Sequence, residues 1–185
     1  MEPGRLEVEG AVASIEWAST IHNDTPRSIQ LTSEGCLLRP RVQIGRTGDL
    51  LVLGSTEEIT HNPHGWLEDK TTVFNFTVLG PSYSFKRRLE KPGRYRVDCD
   101  THKWMRAYVQ VFDHPFAGLT DENGVTEFPA PAGTRTLRVW HEILGVQELE
   151  VEVVEGRTSE VTVTFELADH RDPRWVSPNE KPWSP

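Results

Sequence analysis

Apolar and polar residues alternate with a period of two through most of this chain. The stretches "RLEVEGAVASIEW" (5–17), "GRYRVDC" (93–99), "AYVQVF" (107–112), "TRTLRVW" (134–140), "LEVEVVEG" (149–156) and "SEVTVTFEL" (159–167) all show it. A strand points successive side chains to opposite faces, so each run predicts a half-buried strand. Val, Thr, Tyr and Phe fill the runs, and Gly, Pro, Asn and Asp separate them. No segment carries a helical period over three turns. The prediction is an all-β chain of short strands, in a sandwich or barrel. In "GRYRVDC", parity sends Tyr95, Val97 and Cys99 inward and Arg94 and Arg96 to water. The next strand starts at Ala107, so residues 100–106 form a tight loop at one end of a sandwich.

Punctuation divides the chain near "FDHPFAGLTDENG". The stretch before this seam, 1–113, has a common sandwich size. In "DENG", Asn123-Gly124 predicts a hairpin turn with positive φ at both central positions. The "PAPAG" that follows is a second break. The tail "ADHRDPRWVSPNEKPWSP" is too rich in Pro for a ladder strand, and Trp175 and Trp183 are placed to drape it over the surface. The expected organisation is a first β-sandwich over 1–113, a small second β module over 114–168 and an irregular tail over 169–185.

The chain has 185 residues, 36% of them hydrophobic, and a net charge of −8. No apolar run approaches the roughly 20 residues that span a bilayer, so no membrane span is predicted. The negative balance argues against a nucleic-acid binder. The start, "MEPGRLEVEG", has neither a basic nor an apolar leader region and predicts no signal peptide there. There is no sign of a nucleophile triad or a phosphate loop, and an enzyme is not the expectation.

The chemistry concentrates in "YRVDCDTHKWMRAY". It holds one of two cysteines, a histidine and the only methionine besides Met1. A thiolate at a strand end, with an imidazole and a thioether on the next loop, can converge on one point. Those donors suit copper, whose electron-transfer sites use two His and one Cys in a plane with a weak axial Met. The segment "EEITHNPHGW" supplies a second histidine, His61, after the apolar strand "DLLVLG".

Together, "HN" at 61–62 and "CDTHKWM" at 99–105 resemble the cupredoxin (blue copper) family. The short Cys-x2-His-x2-Met loop is similar to that of amicyanin-like members. "PGRYRVDC" and the upstream "LLRPRVQIGRTGDLLVL" fit the family's lead-in strands, and the resemblance spans about residues 30–112. It implies a cupredoxin-like Greek-key β-sandwich and a mononuclear copper site. His61, Cys99 and His102 would be equatorial, Met105 axial, and Asn62 would tie the two ligand loops behind the metal. It also implies one-electron transfer with a redox partner protein, and a periplasmic or extracellular location. "TDENGVTEFPAPAGTRTLRVWHE" resembles a carboxypeptidase-regulatory-like (transthyretin-like) β-sandwich module, which adds no chemistry.

Several assignments stay open. Cys36, in "SEGCLLRP", is a further ligand or near neighbour, an inert thiol, or the partner of Cys99 in a disulfide. His64 is a further metal donor or a solvated loop histidine. His114 is expected to shape the seam, and His141 to be a polar strand end. Trp66 and Trp104 flank the ligand segments as an apolar rim. Eight basic residues between Lys86 and Arg106 face three acidic ones, either as a solvated face or as a docking patch for an acidic partner. The other functions that fit are copper storage or delivery, and a non-catalytic binding module closed by a Cys36–Cys99 bridge.

Overall fold

β-branched and aromatic residues at every second position commit this chain to strands. The computed structural model describes residues 7–165 and contains thirteen strands, with no helix among those residues. The strands fall into two units, residues 19–114 and residues 7–18 with 115–165.

The larger unit is a two-sheet sandwich. One sheet has the order β3-β2-β5-β8, from β2 (Ser28–Glu34), β3 (Leu37–Arg39), β5 (Leu50–Ser55) and β8 (Ser84–Arg88). The other has the order β4-β10-β9-β6-β7, from β4 (Val42–Arg46), β6 (Pro63–Trp66), β7 (Thr72–Asn75), β9 (Gly93–Cys99) and β10 (Arg106–Phe112). The pairs β2/β5 and β4/β10 are parallel, and the others antiparallel. Ile29, Leu31, Leu51 and Leu53 of the first sheet share one core with Tyr95, Val97, Val109 and Val111 of the second. Each such side chain, fully buried, stabilises the fold by about 1.5–3 kcal/mol. Tyr95 keeps its hydroxyl satisfied by donating to the Lys91 carbonyl at 2.8 Å.

The opposite end from Cys99 is closed by one carboxylate. Asp49, buried in the β4–β5 turn, accepts from the N–H of Arg46 (2.9 Å) and Arg27 (3.0 Å) and from Asn23 Nδ2 (2.9 Å). Burial works to raise its carboxyl, but those hydrogen bonds and the Arg27 charge outweigh it and hold the group below the usual aspartate value.

The smaller unit is a four-stranded antiparallel sheet, β11-β1-β12-β13, from β1 (Val12–Ile15), β11 (Ala117–Leu119), β12 (Gly133–His141) and β13 (Gly145–Val153). Ala11, Ala13, Ile15, Leu137, Val139 and Val151 form its core. Phe128, Ala130, Val163 and Phe165 cover that core from segments outside the ladder.

Several expectations change here. The first module does not begin at residue 1: Val12 pairs with Leu119 and Trp140, so β1 belongs to the smaller sheet. Alternation says which face of a strand is apolar, but not which strand lies beside it. The run from Ser159 is not a strand within the described residues; Val163 and Phe165 pack, half-buried, against the core. In "DENG" only Gly124 takes positive φ (70°), because the Asp121 carboxylate accepts from the N–H of both Asn123 and Val125 (2.9 Å each) and sets a different turn. The tail 169–185 lies outside the described residues.

Candidate metal centre

Cys99 closes β9, and the chain must then turn back to start β10 at Arg106. Met105 N–H donates to the His102 carbonyl (2.9 Å), and Cys99 N–H donates to the Met105 carbonyl (3.2 Å). His61 arrives from the other side. It lies outside the named strands and makes a two-way backbone bridge with Val78, 2.9 Å and 2.7 Å. The two ligand segments are stitched directly: Asp100 N–H donates to the Asn62 carbonyl (3.0 Å), and Asn62 N–H donates to Cys99 Sγ (3.3 Å). Asn62 thus joins the two segments through its backbone. Its side chain bonds Thr77 Oγ1 instead, at 3.1 Å.

This stitching gathers three donors. One ligand atom each from His61, Cys99 and His102 lies within 4.8 Å of the other two. Nδ1 of His61 and Nδ1 of His102 are 3.2 Å apart, and Cys99 Sγ is 3.6 Å from His102 Nδ1. A first-row ion with bonds of about 2.0 Å to nitrogen and about 2.3 Å to sulfur, in a trigonal plane, separates its donors by roughly 3.5 Å (N to N) and roughly 3.7 Å (N to S). The residues present fit such an ion. Cys99 and His61 are buried, while His102 is only half-buried, so the centre meets the surface at one imidazole edge. Met105 is fully buried in the core beside this loop.

Glu57, which no motif in the sequence singles out, completes the His61 environment. Its Oε2 lies 2.9 Å from His61 Nε2. Its Oε1 accepts from Cys36 N–H at 3.0 Å, with the Cys36 thiol at 3.6 Å. Burial favours a raised carboxyl here, but Cys36 and His61 outweigh it and keep Glu57 below the usual glutamate value. The signal was present in "EEITH", a carboxylate four residues before the histidine.

Cys36 is not bonded to Cys99; both are free thiols. It sits at φ 56° in the β2–β3 turn with its sulfur toward Glu57, and it is not among the three gathered donors. His64 is not among them either. Its Nδ1 lies 3.1 Å from Asp100 and its Nε2 3.2 Å from Thr72, on the outer side of β6. Trp104 is 62% exposed and lies over the centre's edge, its ring 5.3 Å from that of His102 and its Nε1 donating to the Cys36 carbonyl at 3.0 Å. Trp66 does not share that rim: its ring lies 3.8 Å from that of His64, tilted by 32°, and covers Arg96. Arg96 is consequently buried, although parity sent it to water, and it pairs with Asp98 at 3.1 Å. Arg106 joins the same carboxylate at 2.7 Å. The basic run is divided, since Lys86–Arg88 belong to β8 of one sheet and Arg94 and Arg96 to β9 of the other. His114 is buried, and burial lowers its imidazole below the ordinary value. His141 accepts from the N–H of Ile143 and Leu144 at a strand end.

Fold and site define a class: an all-β sandwich in which two histidines, one buried and one half-buried, gather around a buried cysteine at the end of a strand. No family model and no curated protein matches the chain. Its structural neighbours are cupredoxins. It is similar to a purple cupredoxin from Nitrosopumilus maritimus (17% identity, 44% of this chain and 97% of that one, TM-score 0.39). It is also similar to the reduced state of an amicyanin mutant (18%, 54% and 97%, 0.40) and to amicyanin from Paracoccus versutus (14%, 54% and 96%, 0.40). Likenesses of this size carry no weight for function, so what the centre does is read from its own atoms.

Proposed function

We propose that this chain is a copper-binding protein of cupredoxin type, serving one-electron transfer through a mononuclear site. The observation that carries the reading is the convergence of His61 Nδ1, His102 Nδ1 and Cys99 Sγ at separations that suit one first-row ion. In this reading His61, Cys99 and His102 would hold the copper, and Met105, buried beside the loop, would serve as a further, weaker donor. Bound copper supplies the Cu(I)/Cu(II) couple. The chain's own contribution is fixed geometry. Asn62 N–H bonds the sulfur, and the backbone bridge at Val78 holds His61 in place. Buried surroundings exclude water. Half-buried His102 is the side that would face a redox partner, with exposed Lys103 beside it to meet acidic groups. An exported compartment and a carboxypeptidase-regulatory-like role for the smaller unit belong to the same proposal.

The test is the absorption spectrum of the Cu(II)-loaded protein. An intense thiolate-to-copper band is expected, lost in Cys99→Ser and in either histidine-to-alanine variant. A copper-loaded protein that stays colourless with both thiols intact sinks the reading. Ready loss of Cu(I) to a chelator, with no reversible couple, would favour copper delivery.

A further inference from the structure

His61 is completely buried, and its ring has two nitrogens to satisfy. Nε2 faces Glu57 Oε2 at 2.9 Å, while Nδ1 faces His102. A carboxylate accepts and does not donate. The pairing with Glu57 therefore puts the single proton of a neutral His61 on Nε2 and leaves a lone pair on Nδ1. Glu57 is itself held from behind. Its Oε1 takes the Cys36 N–H at 3.0 Å, and its own N–H donates to Ser55 Oγ at 3.0 Å. Cys36 presents that N–H from a left-handed backbone (φ 56°), a conformation costly for a residue with a Cβ. The turn is pinned from the ligand loop by Trp104 Nε1 on the Cys36 carbonyl. A closed series of contacts thus runs from His61 through Glu57 and Cys36 to Trp104, whose ring lies against that of His102.

We propose that Glu57, braced by the Cys36 turn, is the positioning residue that fixes the His61 tautomer and aims its Nδ1 at Cys99 and His102. This deepens the copper reading by naming a carboxylate outside the donor set on which that set depends. Glu57 touches no metal; it acts through His61.

The first measurement uses the full-length, metal-free chain. Imidazole nitrogen shifts by NMR, at a pH where His61 is neutral, should show the proton on Nε2 in the wild type. Glu57→Ala should give a mixture of tautomers. Glu57→Gln, whose amide oxygen still accepts from Nε2–H, should restore the single form. The second measurement is Cu(II) titration followed by absorption. Glu57→Ala should bind about 10- to 100-fold more weakly, the usual loss for a group that orients a ligand histidine, and Glu57→Gln should recover most of it. A wild-type proton on Nδ1 overturns the inference, even if Glu57→Ala fails to fold. Tautomers unchanged between wild type and Glu57→Ala overturn it too. A tautomer fixed by Glu57 in a chain that binds no copper would leave this inference standing and remove the copper reading alone.

Discussion

Replacing Gly65 with alanine should strain the sheet that carries Cys99, and the size of the effect follows from distances. A Cβ at Gly65 would lie 2.4, 2.5 and 2.9 Å from three ring carbons of Phe74. Carbon atoms in contact sit at about 3.5–4.0 Å, so the ring must retreat by roughly 1 Å. It has little room to do so. Phe74 is 3% exposed and stacks on Phe76, which stacks in turn on Phe85 with centroids 4.6 Å apart. Overpacking of this kind costs about 1–3 kcal/mol. Gly65 pairs with Val97, two residues before Cys99, so the amides of β9 report the damage directly. Native-state hydrogen exchange of those amides confines the measurement to this unit, whatever the other sheet does. Phe74→Leu should be destabilising alone. Combined with Gly65→Ala it should cost clearly less than the two effects added, since the methyl would occupy part of the vacated space. A Gly65→Ala variant within about 0.5 kcal/mol of wild type, or strict additivity with Phe74→Leu, would refute the reasoning.

Two more outcomes follow from buried groups. Asp49→Ala should destabilise the sandwich by about 2–4 kcal/mol in denaturant melts, because it strands the N–H groups of Arg27 and Arg46. The Asp49 carboxyl is held below its ordinary value, so its contribution is full above pH of about 3.9 and is lost as the pH falls through the lower folded value; Asp49→Asn should remove that part of the acid limb. Thiol labelling of the native, metal-free chain should modify Cys36 first, and more slowly than an ordinary exposed thiol at the same pH, because burial and Glu57 raise it. Cys99, 2% exposed, should react only on unfolding.

What could be read in the sequence divides along physical lines. Long strands with one buried face announce themselves, so β9, β10, β12 and β13 stood out by alternation. Short strands such as β6, β7 and β11 hold too few residues to show a period, and they take their form from neighbours. Pairing was the larger loss. Nothing in "AVASI" says that β1 lies between β11 and β12, because strand partners are chosen by the whole sheet. At the centre, the gathering of Cys99 with His102 and His61 was legible because donor type and loop length restrict it strongly. Glu57 and Cys36 were not legible as a pair. They are 21 residues apart, and only the parallel pairing of β2 with β5 brings the turn after one strand to the end of the other.

The two Nδ1 atoms facing each other at 3.2 Å pose a problem that the chain alone answers awkwardly. Two bare lone pairs at that distance repel, and burial strengthens the repulsion. His61 cannot relieve it while its proton is held on Nε2 by Glu57. With His61 neutral, relief comes from His102, either by a proton on its Nδ1 or by a cation between the rings. His102 is the half-buried member of the pair, and His61 is fully enclosed. On the copper reading, that asymmetry has a use. One imidazole is held by a carboxylate and sealed in the core; the other is half-buried, with no carboxylate against it among the described residues. A donor set built only for packing would have no use for that difference. One built to take up a cation needs it, because each nitrogen must present a lone pair on entry and the displaced proton must have a route out.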